Sequence, residues 1–232
     1  MLIGNGLMAN AFLEYANNEN IIIFASGVSN SLETRKELYK REEDLIKKCL
    51  EENYNKIFVY FSSIFQPVVN KQDYMHHKMQ MEILIQSLAK KFIILRLPQV
   101  IGKGGNSNTL VNFIVNKLKK DEIIDVYKNT YRSLIDVSDI ERIIYTLCYI
   151  ENNYGVYNLN SIEKLEVKDI VYLVAKQLNK TAKINLIEPE ILNTLYNEPR
   201  NSLIFKSLFE HLNINSIGYT ESIIKKYITL WI

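Results

Sequence analysis

A chain of 232 residues is long enough for one large domain, or one domain with a small appendage, to bury a substantial core. Its 47% hydrophobic, 23% charged and 11% aromatic residues exclude a disordered or collagen-like chain. A net charge of +2, from 28 Lys and Arg against 26 Asp and Glu, gives no clustered basic footprint for nucleic acid or an anionic membrane.

Short β-branched and aromatic runs alternate with longer stretches of helical apolar spacing, the pattern of a parallel sheet with crossover helices. Strands are predicted over residues 2–3, 21–25, 57–61, 92–97, 123–126 and 156–159. Several are apolar throughout, as strands covered on both faces are. Helices are predicted over residues 7–15, 31–52, 74–90, 109–119, 138–150 and 167–178. Beyond Lys180 the alternation fades and Pro189 and Pro199 appear, which marks a tail packed on the sheet. Cys49 and Cys148 lie far apart in apolar-periodic segments and are read as buried thiols, with no metal site. The opening Met-Leu-Ile-Gly-Asn-Gly has no basic leader and no run approaches about 18 apolar residues, so a cytoplasmic protein is expected.

Gly4-Asn5-Gly6-Leu7-Met8-Ala9 follows the first strand and opens a helix, the setting of a G-x-G-x-x-G/A dinucleotide fingerprint. The first Gly permits the tight turn and the second lets backbone N–H groups approach a pyrophosphate. The small Ala9 lets helix and strand pack closely. The carboxylate that should follow about 20 residues later to hold the ribose hydroxyls is absent, because the second strand ends in Phe24-Ala25-Ser26-Gly27. Arg35 and Lys36 follow, and belong to a solvated helix face.

Tyr74 and Lys78 stand four apart, so on a helix they share one face. A nearby ammonium favours phenolate over phenol, which suits Tyr74 to proton exchange with a sugar or alcohol oxygen. Lys78 is also placed to reach a cofactor ribose. Upstream, the third strand ends in Ser62-Ser63, hydroxyls at the carboxyl edge of the sheet where open α/β proteins bind ligands. Chance supplies about one Y-x-x-x-K match in a chain this rich in both residues. The second match, Tyr172 to Lys176, follows no hydroxyl-bearing strand end and is read as structural. His76 and His77 are read as surface or supporting positions.

These residues together resemble the extended short-chain dehydrogenases/reductases, in their sugar-nucleotide epimerase/dehydratase/reductase branch. Besides the glycine loop, residues 22–27 are similar to the family's fourth strand, and residues 58–63 to its fifth, with Ser63 at the catalytic Ser/Thr position. Tyr74, Lys78 and Glu82 resemble its catalytic helix. Residues 95–102 resemble the strand and loop bordering nicotinamide and substrate, residues 132–139 the segment whose Arg approaches the sugar nucleotide's phosphates, and residues 155–159 the following strand.

The resemblance implies an α/β, Rossmann-like, doubly wound and mostly parallel sheet. It is shortened, because the family's second and third strands have no counterpart between Tyr15 and Ile21. The expected division is a dinucleotide-binding core over residues 1–160 and a substrate-side lobe over 161–232. Implied catalytic residues are Ser63, Tyr74 and Lys78. The cofactor, NAD or NADP, would meet Gly4, Asn5, Gly6, Leu7, Met8, Ala9, Ala25, Ser26, Gly27, Ser62, Tyr74, Lys78, Pro98 and Val100. A nucleotide sugar would meet Ser63, Gln99 and Arg132. Arg132 has its own logic, since a guanidinium fork matches diphosphate oxygens, the alternative being an ion pair with Asp136. Arg96, in an apolar strand, suits a buried pairing as well as a ligand contact. The implied activity is NAD(P)-dependent reduction or epimerisation of a nucleotide-linked keto sugar for surface polysaccharide, by a homodimer. The rival expectations are a non-catalytic nucleotide-binding descendant and a cofactor-free sugar isomerase.

Overall fold

Ile21-Ile22-Ile23-Phe24 is apolar and buried at every position, which a strand achieves only when both faces of its sheet are covered. The computed structural model describes residues 1–64, 72–104, 107–149, 154–159, 163–188 and 202–228. Most of the segment linking Ser63 to Tyr74, Ile150 at the end of a predicted helix, and Pro189 and Pro199 lie outside the described residues.

In chain order the elements run β1 (Leu2–Ile3), α1 (Leu7–Ala11), β2 (Ile21–Phe24), α2 (Lys36–Glu52), β3 (Ile57–Ser63), α3 (Gln72–Leu88) and β4 (Lys91–Leu97). Next come β5 (Gln99–Ile101), α4 (Leu110–Lys119), β6 (Ile124–Tyr127), β7 (Tyr131–Arg132), β8 (Leu134–Asp136) and α5 (Val137–Tyr149). The chain continues through β9 (Gly155–Asn158), β10 (Leu165–Glu166), α6 (Val167–Gln177), β11 (Ile184–Ile187), α7 (Ser202–His211) and α8 (Tyr219–Ile228). Among the described residues no helix is long and apolar enough to cross a membrane.

Two compact units emerge. The first comprises Met1–Leu97 and Ile140–Leu159, the second Pro98–Asp139 and Asn160–Ile232. Residues 98–139, expected in the dinucleotide-binding core, therefore cluster with the residues after 160.

The first unit is built on a parallel sheet of order β1-β2-β3-β4-β9, the mostly parallel Rossmann-like arrangement expected. Two-residue β1 lies at one end of it. Alternate residues of β3 face opposite layers. Phe58 and Tyr60 pack with Ile46, Cys49 and Leu50 of α2 and with Met81 and Ile85 of α3. Phe61 meets Phe12 on the other side, ring centroids 5.3 Å apart. Ser62 thus faces α3, while Ser63 points with Phe61 to the opposite face. Each fully buried aromatic or branched side chain here contributes about 2 kcal/mol of transfer free energy.

Two predicted helices differ at their starts or ends for identifiable reasons. Helix α2 begins at Lys36, five residues late, because the Glu33 carboxylate accepts from the backbone N–H groups of Thr34 and Arg35 and from the Arg35 guanidinium. That local competition holds residues 33–35 out of the helix. The predicted helix over 7–15 breaks at Phe12 into α1 and a 3₁₀ turn over Leu13–Tyr15. The tighter turn brings Phe12 and Tyr15, three apart, into ring contact at 5.6 Å.

Among the described residues, the second unit carries only two-stranded pairings. β5 pairs with β8 in parallel, β7 with β10 antiparallel, and β6 with β11 in parallel. The predicted strand over 123–126 is therefore not part of the central sheet; its partner is β11, in the tail where alternation was expected to fade. Its apolar core gathers α4, α6 and α8 around Ile114, Val171, Val174 and Ile224. Asp136, 3% exposed, ties α8 to β8. Its carboxylate accepts from the Ser138 backbone and hydroxyl (2.9 and 2.8 Å), from Tyr227 (2.6 Å) and from Lys226 (2.6 Å).

Asp136→Ala is expected to cost about 2–4 kcal/mol, because it leaves the buried Tyr227 hydroxyl without its acceptor; half-exposed Lys226 contributes the smaller part. Urea unfolding monitored by tyrosine fluorescence measures this, and an unchanged midpoint would contradict it.

Candidate active site

The turn from β1 into α1 requires glycine at its first position on two counts. Gly4 has φ of +130°, and a Cβ there would lie 2.4 Å from the Ala25 carbonyl oxygen. Gly6, at the N-cap of α1, is exposed, and a Cβ there would meet nothing within 4 Å. Ala9 is buried, so the small third residue does pack beneath the turn. Asn5 is exposed, while Leu7 and Met8 are half-buried, as are Ala25, Ser26 and Gly27 at the tip of β2. A backbone turned this way with open space at Gly6 fits a diphosphate. Helix α1 has only five residues, so its dipole is small and binding would rest on the loop's N–H groups.

Behind the β2 tip lies a buried carboxylate that the sequence reading missed. Glu42, 0% exposed, accepts from the Val28 backbone at 2.6 Å, Tyr60 Oη at 2.6 Å, His77 Nε2 at 3.0 Å and Lys78 Nζ at 3.0 Å. A carboxylate can only accept, so Nε2 of His77 carries the proton. Lys78 also donates to Tyr60 Oη at 2.9 Å. Gly27 closes the cluster, because a Cβ there would lie 2.8 Å from both Glu42 Oε1 and Lys78 Nζ. Burial pushes the Glu42 carboxyl up, but the Lys78 charge and the His77, Tyr60 and Val28 hydrogen bonds outweigh it and hold the group well below the usual carboxylate range. Burial, with Glu42 beside it, drives the Tyr60 phenol well above its ordinary value. The overlooked signal is positional: Glu42 stands on the same helical stripe as Ile46, Cys49 and Leu50.

Tyr74 is 9% exposed, and its hydroxyl has no hydrogen-bond partner among the described residues. Lys78 Nζ lies 5.8 Å from its ring centroid, so α3 does bring the two together. The ammonium is nonetheless only 2% exposed, with two of its three donors engaged by Glu42 and Tyr60. Ser62 donates to Glu82 Oε1 at 2.6 Å, and Arg96, its register partner on β4, grips the same carboxylate through Nε (3.0 Å) and Nη2 (2.6 Å). Ser63 is half-buried, with no side-chain bond among the described residues.

His76 is exposed, whereas His77 is buried against the Tyr39 ring at 4.5 Å. Arg35 is held by Glu33, and Lys176 of the second Y-x-x-x-K pairs with Glu221. Burial pushes the Cys49 and Cys148 thiols up to about 11 and about 12, which removes them as nucleophiles.

Pro98, Gln99, Val100 and Arg132 belong to the second unit, all half-buried. Gln99 and Val100 lie on β5, and the Gln99 backbone donates to Ser133 O at 3.1 Å. Arg132 donates from Nη1 to Tyr131 O at 2.8 Å. It does not pair with Asp136, which is taken by Lys226, and no carboxylate pairs with it among the described residues. Burial lowers its pKa.

No family model matches the chain, and no curated protein matches it in sequence. Solved structures do match in shape. A dTDP-4-dehydrorhamnose reductase from Clostridium acetobutylicum superposes with a TM-score of 0.71 at 16% identity, over 99% of this chain and 98% of that one. The chain shares that protein's mostly parallel, Rossmann-like fold. A UDP-N-acetylglucosamine 4-epimerase from Methanobrevibacter ruminantium, solved with UDP-N-acetylmuramic acid, gives 0.70 at 13% identity over 94% and 80%. The UDP-glucose 4-epimerase of Thermus thermophilus, solved with NAD, gives 0.67 at 13% over 97% and 81%.

Two outcomes are expected. Gly4→Ala should destabilise the protein by about 2 kcal/mol or more, combining backbone strain with overpacking, while Gly6→Ala should stay within about 1 kcal/mol; equal effects in thermal unfolding would contradict this. Glu42, with its folded pKa depressed, stabilises fully above its ordinary value of 4.5, and that contribution is lost as pH falls below it. Glu42→Gln should therefore cost about 3–5 kcal/mol at pH 7 and flatten the acid limb of the stability profile. An unaltered acid limb would count against the cluster.

Proposed function

We propose that the protein binds NAD or NADP and reduces or epimerises a nucleotide-linked keto sugar in a route to surface polysaccharide. The observation that carries this is the Gly4-Asn5-Gly6 turn, pressed on Ala25 at its first residue and open at its second. The shared fold supports it. The Thermus thermophilus neighbour solved with NAD and the Methanobrevibacter ruminantium neighbour solved with UDP-N-acetylmuramic acid are epimerases. Such chemistry belongs in the cytoplasm, where reduced coenzyme is made.

When bound, the coenzyme supplies or accepts a hydride at a sugar carbon. Tyr74 moves the matching proton, donating its hydroxyl hydrogen to the carbonyl oxygen during reduction and taking it back during oxidation. Ser63 orients that oxygen. Lys78 acts on Tyr74 through its field, its ammonium lying 5.8 Å from the ring centroid. Glu42 at 3.0 Å offsets much of that. In the second unit, Gln99 and Arg132 are assigned to the nucleotide sugar, Arg132 because its guanidinium is half-buried with no carboxylate partner among the described residues. Met79 and Ile83, one turn apart on α3 and 49% and 64% exposed, suit a homodimer face.

A second reading, nucleotide binding without turnover, is favoured by the commitment of Lys78 to Glu42. Leaving a buried pair costs about 3–5 kcal/mol, more than the roughly 1.5–3 kcal/mol a charge-assisted bond to a ribose returns. A cofactor-free isomerase using His77 is less supported, since Glu42 holds that ring.

Titration with NADH and NADPH, followed by nicotinamide fluorescence and thermal shift, should give saturable binding to wild type and to Tyr74→Phe alike. Turnover of keto-sugar nucleotides should fall about 100-fold or more in Tyr74→Phe. No binding at millimolar coenzyme contradicts the proposal, and binding without Tyr74-dependent turnover selects the second reading.

A further inference from the structure

Arg41 is exposed on α2, yet its guanidinium is fixed: Nη2 donates to the Ser26 carbonyl at 2.9 Å, at the tip of β2. The same tip, through Ala25 and Ser26, is what Gly4 packs against. The guanidinium and the glycine turn are therefore anchored on adjacent peptide units. The neighbouring acids on α2 are occupied elsewhere, Glu43 by Lys40 and Lys47 and Asp44 by Lys40. Arg41 makes no ion pair among the described residues, so most of its donors are free. The backbone N–H groups of Ser26 and Gly27 likewise donate to no protein group among the described residues. A forked cation beside unpaired amides, with the nearby Glu42 carboxylate buried and neutralised by Lys78, is chemistry for a phosphate ester.

We infer that Arg41 is a phosphate-binding residue of the nucleotide site, gripping either the ribose phosphate or the pyrophosphate of a dinucleotide seated at the Gly4-Asn5-Gly6 turn. The inference rests on the dinucleotide reading above, and it assigns a cation where the fingerprint's ribose acid is missing.

The test measures dissociation constants of NADPH, NADH, 2′,5′-ADP and ADP for wild type, Arg41→Ala and Arg41→Lys. Arg41 is exposed, so both variants should keep the wild-type melting temperature. Arg41→Ala should weaken NADPH binding about ten- to a hundredfold, with partial recovery in Arg41→Lys. Loss confined to NADPH and 2′,5′-ADP assigns the ribose phosphate; equal loss for NADH and ADP assigns the pyrophosphate. Tight wild-type binding of coenzyme that Arg41→Ala leaves unchanged overturns the inference and spares the dinucleotide reading. Arg41-dependent binding of the ADP compounds alone, without coenzyme, does the reverse. Failure of all four to bind overturns both.

Discussion

One ionised carboxylate organises the first unit. Glu42 is shut away from water, and an isolated charge there would be prohibitively desolvated. It is tolerated because donors arrive from the β2–α2 connection (Val28), from β3 (Tyr60) and from α3 (His77, Lys78), while Lys78 cancels its charge. Helices α2 and α3 are thereby fixed against β3 by direction as well as by apolar packing. Hydrophobic contact alone would allow sliding; four hydrogen bonds on two oxygens do not. Ser62, Glu82 and Arg96 repeat the device one turn further along α3, binding that helix to β3 and β4.

The same constraint shapes the chemistry. A lysine that neutralises a buried carboxylate is rigid but electrostatically muted. Tyr74 therefore sits beside an ion pair instead of a bare cation. Gly27, pressed on the Glu42–Lys78 pair, and Gly4, pressed on Ala25, make the β2 tip a junction between the ion pair and the phosphate turn. A side chain at Gly27 would meet the ion pair, and one at Gly4 the Ala25–Ser26 peptide.

Much of this was legible in the sequence where a local pattern dictates the outcome. Fully apolar β2, the apolar and aromatic run 57–61 of β3, the glycine turn and the Tyr74–Lys78 spacing depend on nearest neighbours along the chain. What depended on distant partners was not legible. The 124–127 strand alternates buried and exposed residues, which identifies a half-covered strand but not that its partner is β11. Glu33 delays α2 through side-chain bonds that apolar periodicity does not register. Glu42 carried a signal, an acid on an apolar stripe, but its four donors come from three separate segments. The family resemblance singled out Ser63 over Ser62, but only the layer behind β3 shows that Ser62 is engaged by Glu82 while Ser63 faces the other side.

The most direct measurement is a crystal structure of the protein with reduced coenzyme bound. The account predicts diphosphate density over the amides of the Gly4-Asn5-Gly6 turn, with Lys78 Nζ still within hydrogen-bonding distance of Glu42. Coenzyme absent from that turn, or a Lys78 ammonium detached from Glu42, would contradict it.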